Sequence, residues 1–132
     1  MGFFSKKPKP PVDIREVAGR TAYSEYVRGS HYTQWVETVK AFKREGRYDE
    51  DERLLLECCD ANEWEAKRQR WDPAPWYYEQ LAIIYRKLAE PEKEEVLLRR
   101  YVKAAGKRRA ADNPTGSKLL KRLEAIEAKS KT

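Results

Sequence analysis

Residues 32–58 have the sequence YTQWVETVKAFKREGRYDEDERLLLEC, and residues 75–101 have the sequence PWYYEQLAIIYRKLAEPEKEEVLLRRY. The two stretches align without a gap at an offset of 43 residues. Side chains of the same kind meet along the alignment: Trp35 with Tyr78, Val39 with Ala82, Phe42 with Tyr85, Lys43-Arg44 with Arg86-Lys87, and Leu54-Leu55 with Leu97-Leu98. Because a fixed period decides the architecture of a chain, we interpret the two stretches as copies of one structural unit.

Each copy predicts a helix, a turn and a second helix. In the first copy, apolar residues at helical spacing run from about Tyr32 to a break at Gly46, and four acids at 49–52 then begin a helix that reaches the high sixties. In the second copy, Asp72-Pro73-Ala74-Pro75 starts a helix, Pro91 marks the turn and Gly106 ends the second helix. The helix after Pro75 is apolar on more than one side, so we expect it at the centre of the protein.

A further helix is predicted before the repeat. Asp13 and Glu16 have the form of a helix N-terminal capping pair, which predicts a helix over about 13–27. Residues 1–12 are rich in lysine and proline and predict a disordered basic tail, which leaves 13–129 as a single helical domain.

Another helix is predicted after the repeat. Asn113-Pro114-Thr115-Gly116 predicts a loop, after which Ser117 can cap a short basic helix. Two units alone leave apolar faces uncovered at both ends, so we expect the flanking helices to act as caps. The residues that would cover the two ends are Ile14, Val17 and Ala18 on one side, and Leu119, Leu120, Leu123 and Ile126 on the other.

The repeat resembles the tetratricopeptide (TPR) family, whose hairpin unit has two aromatic positions in its first helix, a small residue at the close helix contact and a Gly-x-Tyr turn. The matching residues are Trp35, Phe42, Gly46 and Tyr48 in the first unit, and Tyr78, Leu81, Ala82 and Tyr85 in the second. The chain departs from the family at Val39, Asp51 and Glu94, which stand where the family has small residues, and its offset exceeds the usual ~34 residues. Apolar stripes of this kind also occur in the cores of unrelated helical bundles, and that alternative stays open.

The resemblance implies an all-α fold of two TPR-like antiparallel helical hairpins with flanking capping helices, in an α-α superhelix. It also implies a non-enzymatic interaction module, or adaptor, that binds a protein or peptide through the concave face of the first helices. Carried over by position, the partner-binding residues are Lys40, Lys43, Trp76, Glu79, Ile83 and Arg86. Val36 stands where chaperone-binding members of the family have a clamp lysine, which argues against capture of a C-terminal carboxylate.

The net charge of +6 is concentrated at the ends of the chain, and residues 103–132 alone carry nine basic residues against three acids. Such a segment favours an alternative function, weak and non-specific nucleic-acid binding. The residues that could contact phosphates are Lys103, Lys107, Arg108, Arg109, Lys118, Lys121 and Arg122. A solvated basic helix explains the same residues.

The sequence contains no motif that indicates catalysis, so no catalytic, cofactor-binding or metal-binding residues are predicted. The acids at 49–52 follow one another in a first helical turn, which is typical of a solvated cap. His31 is a lone histidine at a helix start, and Cys58 and Cys59 are adjacent, which suits small core residues better than a disulfide or a zinc site. No apolar run suits a membrane span or a secretory signal, so we expect a cytoplasmic protein.

The repeat also predicts which side chains form the core and how the chain associates. We expect the core to include Trp35, Phe42, Tyr78, Leu81, Ala82, Tyr85 and Leu98, with Tyr78 and Tyr85 at the contact between the hairpins. Internal caps favour a monomer, and a homodimer that covers one open end is the competing solution.

Overall fold

The computed structural model describes residues 11–131. Its elements, in chain order, are α1 (Ile14–Val17), β1 (Tyr26–Val27), β2 (Ser30–His31), a 3-10 turn (Tyr32–Trp35), α2 (Val36–Arg44), α3 (Tyr48–Gln69), α4 (Trp76–Lys87), α5 (Pro91–Ala105), α6 (Lys107–Asp112) and α7 (Pro114–Ser130). The fold is all-α, as the sequence predicts, with one short antiparallel strand pair that the sequence did not predict.

Two helical hairpins, α2 with α3 and α4 with α5, lie where the repeat predicts them, and their turns have the same conformation. Gly46 in the first turn has φ +71°, and the amide that follows it donates to the carbonyl of Phe42 at 2.8 Å. Ala89 in the second turn has φ +54°, and the corresponding amide donates to the carbonyl of Tyr85 at 2.9 Å. Both helices therefore end in a Schellman motif, with one residue in the left-handed region.

The core is centred on α3, α4 and α5. Tyr78, Leu81, Ala82, Tyr85 and Leu98 are buried, which confirms five of the seven predicted core residues. The hydroxyls of Tyr78 and Tyr85 donate to carboxylates on α3, so both residues lie at the contact between the hairpins, as predicted.

The other two predicted core residues are only half-buried, so that part of the prediction is wrong. The indole of Trp35 lies at the end of the 3-10 turn and donates to the carbonyl of Val27 at 2.9 Å. The ring of Phe42 is partly covered by the guanidinium of Arg47, 4.5 Å from its centroid. Both side chains pack against the outer edge of the core.

The predicted helix over 13–27 is wrong, although its cap is correct. Asp13 accepts a hydrogen bond from the amide of Arg15, but the helix ends at Val17. The backbone then turns at Gly19, which has φ +117° and lies so close to Arg100 that an added Cβ would be 3.2 Å from the guanidinium carbon. A helix cannot pass through that conformation, so the chain continues as a loop and the β1–β2 pair.

The segment before α2 also covers the core differently from the prediction. Val17 is buried, whereas Ile14 and Ala18 are exposed, and α1 packs on α5 of the second hairpin. Val12 is buried too, although it falls within the predicted tail of residues 1–12. Residues 1–10 of that tail lie outside the described residues.

The second cap is confirmed in its packing and corrected in its bounds. Leu119, Leu120 and Leu123 are buried, and α7 packs on α5 and α4. However, α7 begins at Pro114 rather than after Ser117, because the side chain of Asn113 caps it, and the sequence did not predict α6.

Gly116 explains why the start of α7 was predicted as a loop. It lies inside the helix, where an added Cβ would be 2.5 Å from the Tyr101 hydroxyl and 2.6 Å from the carbonyl of Ala110. Glycine is required here by the close approach of α7 to α5 and α6, not by a turn.

Candidate functional site

The first helices of the two hairpins, α2 and α4, are joined by one side-chain hydrogen bond. Lys43 on α2 donates from Nζ to Oε1 of Gln80 on α4 at 2.9 Å. Burial lowers the pKa of Lys43, and the nearby Lys87 lowers it further, while Asp51 and Glu79 have the opposite effect. Lys43 is therefore a half-buried cation that is held on this face by a neutral amide. We call the surface of α2 and α4 around Lys43 the α2–α4 face.

The structure places the six predicted partner-binding residues on these two helices, but not in equivalent roles. Trp76, Glu79 and Ile83 are half-buried on α4. Lys40 is exposed, with its Nζ 3.7 Å from a carboxylate oxygen of Glu37 on the same helix. Such exposed pairs contribute little, so Lys40 is available to a partner.

Arg86 is exposed, but it has an acidic partner within the fold. Its Nε lies 3.6 Å from Oε2 of Glu94, which is buried between α5 and its neighbours. Gln80 and Lys87 lie close to Lys43, although the sequence did not indicate either residue. Lys87 also lies over the ring of Tyr48, with its Nζ 5.7 Å from the centroid. Gln80 and Lys87 directly follow the predicted residues Glu79 and Arg86 in the sequence, and this proximity was the only indication of their position.

Two buried carboxylates occupy equivalent positions of the repeat, and their surroundings differ. Glu94 accepts two hydrogen bonds of 3.0 Å from the guanidinium of Arg122 on α7. Asp51 is fully buried on α3, and neither of its carboxylate oxygens has a hydrogen-bond partner among the described residues. Burial raises the pKa of Asp51 to about 7, with Lys43 as the nearby cation that opposes the shift. An acid in this state is half-protonated near neutral pH.

Two of the seven predicted nucleic-acid residues have structural roles. Arg122 is the bidentate partner of Glu94, and Arg109 lies 3.0 Å from Oδ1 of Asp72. The other five are exposed and form no ion pair within residues 11–131: Lys103, Lys107, Arg108, Lys118 and Lys121. The basic end therefore keeps five cations that the fold itself does not neutralise.

A cavity of about 380 Å³ lies beside this basic end, between the C-terminal parts of α3 and α5, the loop before α4, and α6. Its lining includes Trp71, Pro73 and Ala105 and the cations Lys67 and Arg70. Trp71, Lys67 and Arg70 were not among the predicted site residues. They lie at the end of α3, whereas the excess of basic residues in the sequence is largest after residue 102.

His31 connects the β1–β2 pair to α3. Its Nε2 lies 2.9 Å from Glu65 Oε2, and its Nδ1 accepts the amide hydrogen of Thr33 at 3.3 Å, so it caps the 3-10 turn. The ring stacks on Tyr32, whose hydroxyl donates to the same carboxylate. These contacts account for both ring nitrogens of His31.

The two cysteines are core residues, as predicted. Cys58 and Cys59 are free thiols and both are buried, and burial raises the pKa of each thiol. A thiol of this kind is held in its unreactive protonated form.

Comparison of the chain with protein-family models, with curated proteins and with solved structures finds no match. Within residues 11–131, no helix combines the length and the hydropathy that crossing a bilayer requires. The same residues contain no group of three or more histidine, cysteine or acidic side chains placed to hold a metal ion.

Proposed function

We propose that this chain is a non-enzymatic, TPR-like interaction module that binds a protein or peptide through the α2–α4 face. The observation that carries the proposal is Lys43, a half-buried cation that forms a hydrogen bond to Gln80 and no ion pair within residues 11–131. Partial burial of a charge that has no direct ionic partner has a cost that a carboxylate of a bound protein can offset. On α4, the neighbouring helix of the same face, Trp76 and Ile83 are half-exposed and supply apolar contact area.

The chemistry of the face also favours one class of partner. Lys87 is close enough to lower the pKa of Lys43, and a carboxylate beside Lys43 would offset that repulsion. Glu79 is the acid of the same face that acts on Lys43 from α4. We therefore propose that the bound segment places an acidic side chain near Lys43 and an apolar side chain near Ile83. We further propose that the protein is a cytoplasmic monomer.

Site-specific crosslinking would test this proposal in the full-length chain. A photoreactive amino acid at Ile83 should capture a discrete protein from nuclease-treated lysate, and the same group at Gln69, which is exposed near the C-terminal end of α3, should not. Lys43→Glu should abolish capture, whereas Lys121→Glu, with the same change of charge on α7, should leave it intact. Equal capture from both crosslinking positions, or capture unaffected by Lys43→Glu, would contradict the assignment of this face.

A further inference from the structure

The cavity beside the basic end lies on other elements than the α2–α4 face and has a different chemistry. Its wall is formed in part by small or apolar residues, including Ala66 and Pro73, and Trp71 lies at its edge. The indole of Trp71 is 52% exposed, the largest exposed fraction of any tryptophan among the described residues. Its position follows from the end of α3, where Arg70 adopts the left-handed conformation and the amide of Trp71 donates to the carbonyl of Ala66.

The two acids that line the cavity already have cationic partners. Glu63 accepts a 2.6 Å hydrogen bond from Arg100 and another from the hydroxyl of Tyr78. Asp72 is paired with Arg109 at 3.0 Å. Neither acid therefore leaves an unpaired negative charge in the cavity.

The cations of the cavity exceed what the helix ends require. The C-terminal ends of α3 and α5 each present about half a negative charge, which Lys67 and Lys103 in or beside the last turns can offset. Arg70 lies beyond the end of α3 and forms no ion pair within residues 11–131. Lys107 and Arg108 follow on the first turn of α6, directly before the cavity residue Arg109. Among the cations that line the cavity, Lys67 and Arg70 therefore form no ion pair within residues 11–131, and they lie beside an exposed indole.

A planar ligand with a phosphate fits this combination of features. Unpaired bases stack on exposed aromatic rings, and lysine and arginine side chains neutralise the backbone beside them. A duplex offers no free base face to Trp71, because its bases are already stacked on one another. The volume of about 380 Å³ is in the range of small-molecule sites.

We infer that this cavity binds a nucleotide unit of single-stranded nucleic acid, with its base on Trp71 and its phosphates against Lys67 and Arg70. The site is separate from the α2–α4 face, so the inference goes beyond the proposed function and does not rest on it. It also assigns the basic end a more specific role than general attraction of phosphates, because stacking on Trp71 requires an unpaired base. A free mononucleotide has the same chemistry and would occupy the same cavity more weakly, since it makes fewer phosphate contacts.

Binding of fluorescein-labelled oligothymidylate of ten nucleotides to the full chain, followed by anisotropy, would test the inference. We expect Trp71→Ala to weaken binding about 10-fold and Trp71→Phe, which keeps an aromatic ring, to weaken it about 2-fold. Arg70→Glu should weaken binding by a similar factor and lower the salt dependence. Lys40→Glu makes the same change of charge on the α2–α4 face and should have less than a 2-fold effect. Thermal melting of each variant would show that the exposed substitutions leave the fold intact.

Competition experiments would separate the possible ligands. Unlabelled thymidine monophosphate should displace the probe only at much higher concentration than the oligonucleotide; displacement at equal concentration would assign the site to a free nucleotide and overturn the single-strand assignment. Duplex of the same length or polyglutamate that competes as well as the single strand would reduce the site to a general anion surface and overturn the inference. Unchanged affinity of the Trp71→Ala variant would overturn it as well.

Discussion

The two hairpins of this protein share their turns and their pattern of apolar residues, but they differ in what lies against them. The second hairpin is covered by α7, and its buried acid, Glu94, is held by two hydrogen bonds from Arg122. The first hairpin is bordered by the short β1–β2 pair and a 3-10 turn. Its residue equivalent to Glu94, the buried Asp51, has no hydrogen-bond partner among residues 11–131, although the adjacent buried Glu52 accepts one from Tyr85. A repeat therefore sets the backbone of both units, while the neighbouring element decides how completely each one is stabilised.

The difference has a consequence for where binding can occur. Trp35, Phe42 and Lys43 of the first hairpin are half-buried, and Lys43 is held by the amide of Gln80 on α4. The equivalent positions of the second hairpin are occupied by buried tyrosines and by Arg86, which is directed toward Glu94. Lys43 thus has a neutral partner in the first hairpin, whereas its counterpart Arg86 in the second hairpin has an acidic partner.

The largest expected effect is the loss of the second hairpin's cover. A chain that ends at Ala105 lacks the buried leucines of α7 and leaves Glu94 without Arg122, so we expect an aggregating product with no cooperative melting transition. Calorimetry and sedimentation of the truncated and full chains would measure this. The double variant Lys118→Ala/Lys121→Ala removes charge but keeps the cover, and it should melt as the full chain does. A truncated chain with the full melting temperature would show that α7 is not part of the core.

A pair of aromatic substitutions compares the hairpins directly. Tyr78 and Trp35 are equivalent in the repeat, but Tyr78 is fully buried and Trp35 is half-buried. We expect Tyr78→Ala to cost about 3–5 kcal/mol in free energy of unfolding, while Trp35→Ala costs about 1–2 kcal/mol despite the larger side chain. Urea denaturation of both variants would test this order, and equal losses would contradict the difference in cover.

The sequence predicted the fold where the signal is local and periodic. The helices from α2 to α5 follow apolar spacing and breaks such as Pro91 and Gly106, so their positions could be predicted within a few residues. The segment over 13–27 could not, because its course depends on Gly19 packing against Arg100, a residue about 80 positions later in the chain. The prediction of a loop at Gly116 was wrong for the same reason, since this glycine is required by the contact of α7 with Tyr101 and Ala110.

The candidate sites were predicted only in part, again for physical reasons. Lys43 could be placed on a surface by the repeat, but its bond to Gln80 depends on how α2 and α4 pack. Arg122 was predicted to contact phosphates because it lies in a basic segment, yet it is the partner of a buried acid. The cavity beside Trp71 joins residues from four segments, and no pattern within a single segment indicates it.

The two buried acids should respond oppositely to removal of their charge, and Glu94 should show the larger effect. Glu94→Gln removes the anion that Arg122 and Arg86 surround, so we expect a loss of about 1–3 kcal/mol in free energy of unfolding. The half-exposed arginines can turn toward water, which keeps the loss below that of a fully buried pair. A variant as stable as the parent would show that the ion pair contributes nothing to the second hairpin.

Asp51→Asn should instead stabilise the protein, and the gain should depend on pH. The pKa of Asp51 is raised from 3.8 to about 7 by burial, so the folded state binds a proton between these values that the unfolded state has lost. The contribution of Asp51 to stability therefore falls as pH rises from about 4 to 7 and is constant above that range. We expect Asp51→Asn to gain about 1–2 kcal/mol at pH 8 and nothing at pH 4. Melting curves of both proteins from pH 4 to pH 8 would measure this gain. A gain of the same size at every pH would contradict the raised pKa of Asp51.

The smallest expected effect lies in the turns, at the position where the first hairpin has a glycine and the second has an alanine. Gly46 and Ala89 occupy the same left-handed position of the two Schellman motifs, at φ +71° and +54°. Alanine is strained there because its Cβ approaches the following carbonyl, whereas glycine is not, although glycine loses more entropy on folding. Nothing lies within 4 Å of a Cβ added at Gly46, so the effect of Gly46→Ala on stability depends only on the conformational energy of the backbone.

Exchanging the residues at positions 46 and 89 would therefore measure, in both hairpins, the free-energy cost of a Cβ in the left-handed conformation. We expect Ala89→Gly to gain about 0.5–1 kcal/mol in free energy of unfolding and Gly46→Ala to lose about the same amount. The double exchange should leave stability nearly unchanged, because the sites are on different turns and their effects should add. Chemical denaturation of the three variants at one pH would measure these values. A loss on Ala89→Gly would mean that the second turn is held by a contact that the first turn lacks, and the two turns would then not be equivalent.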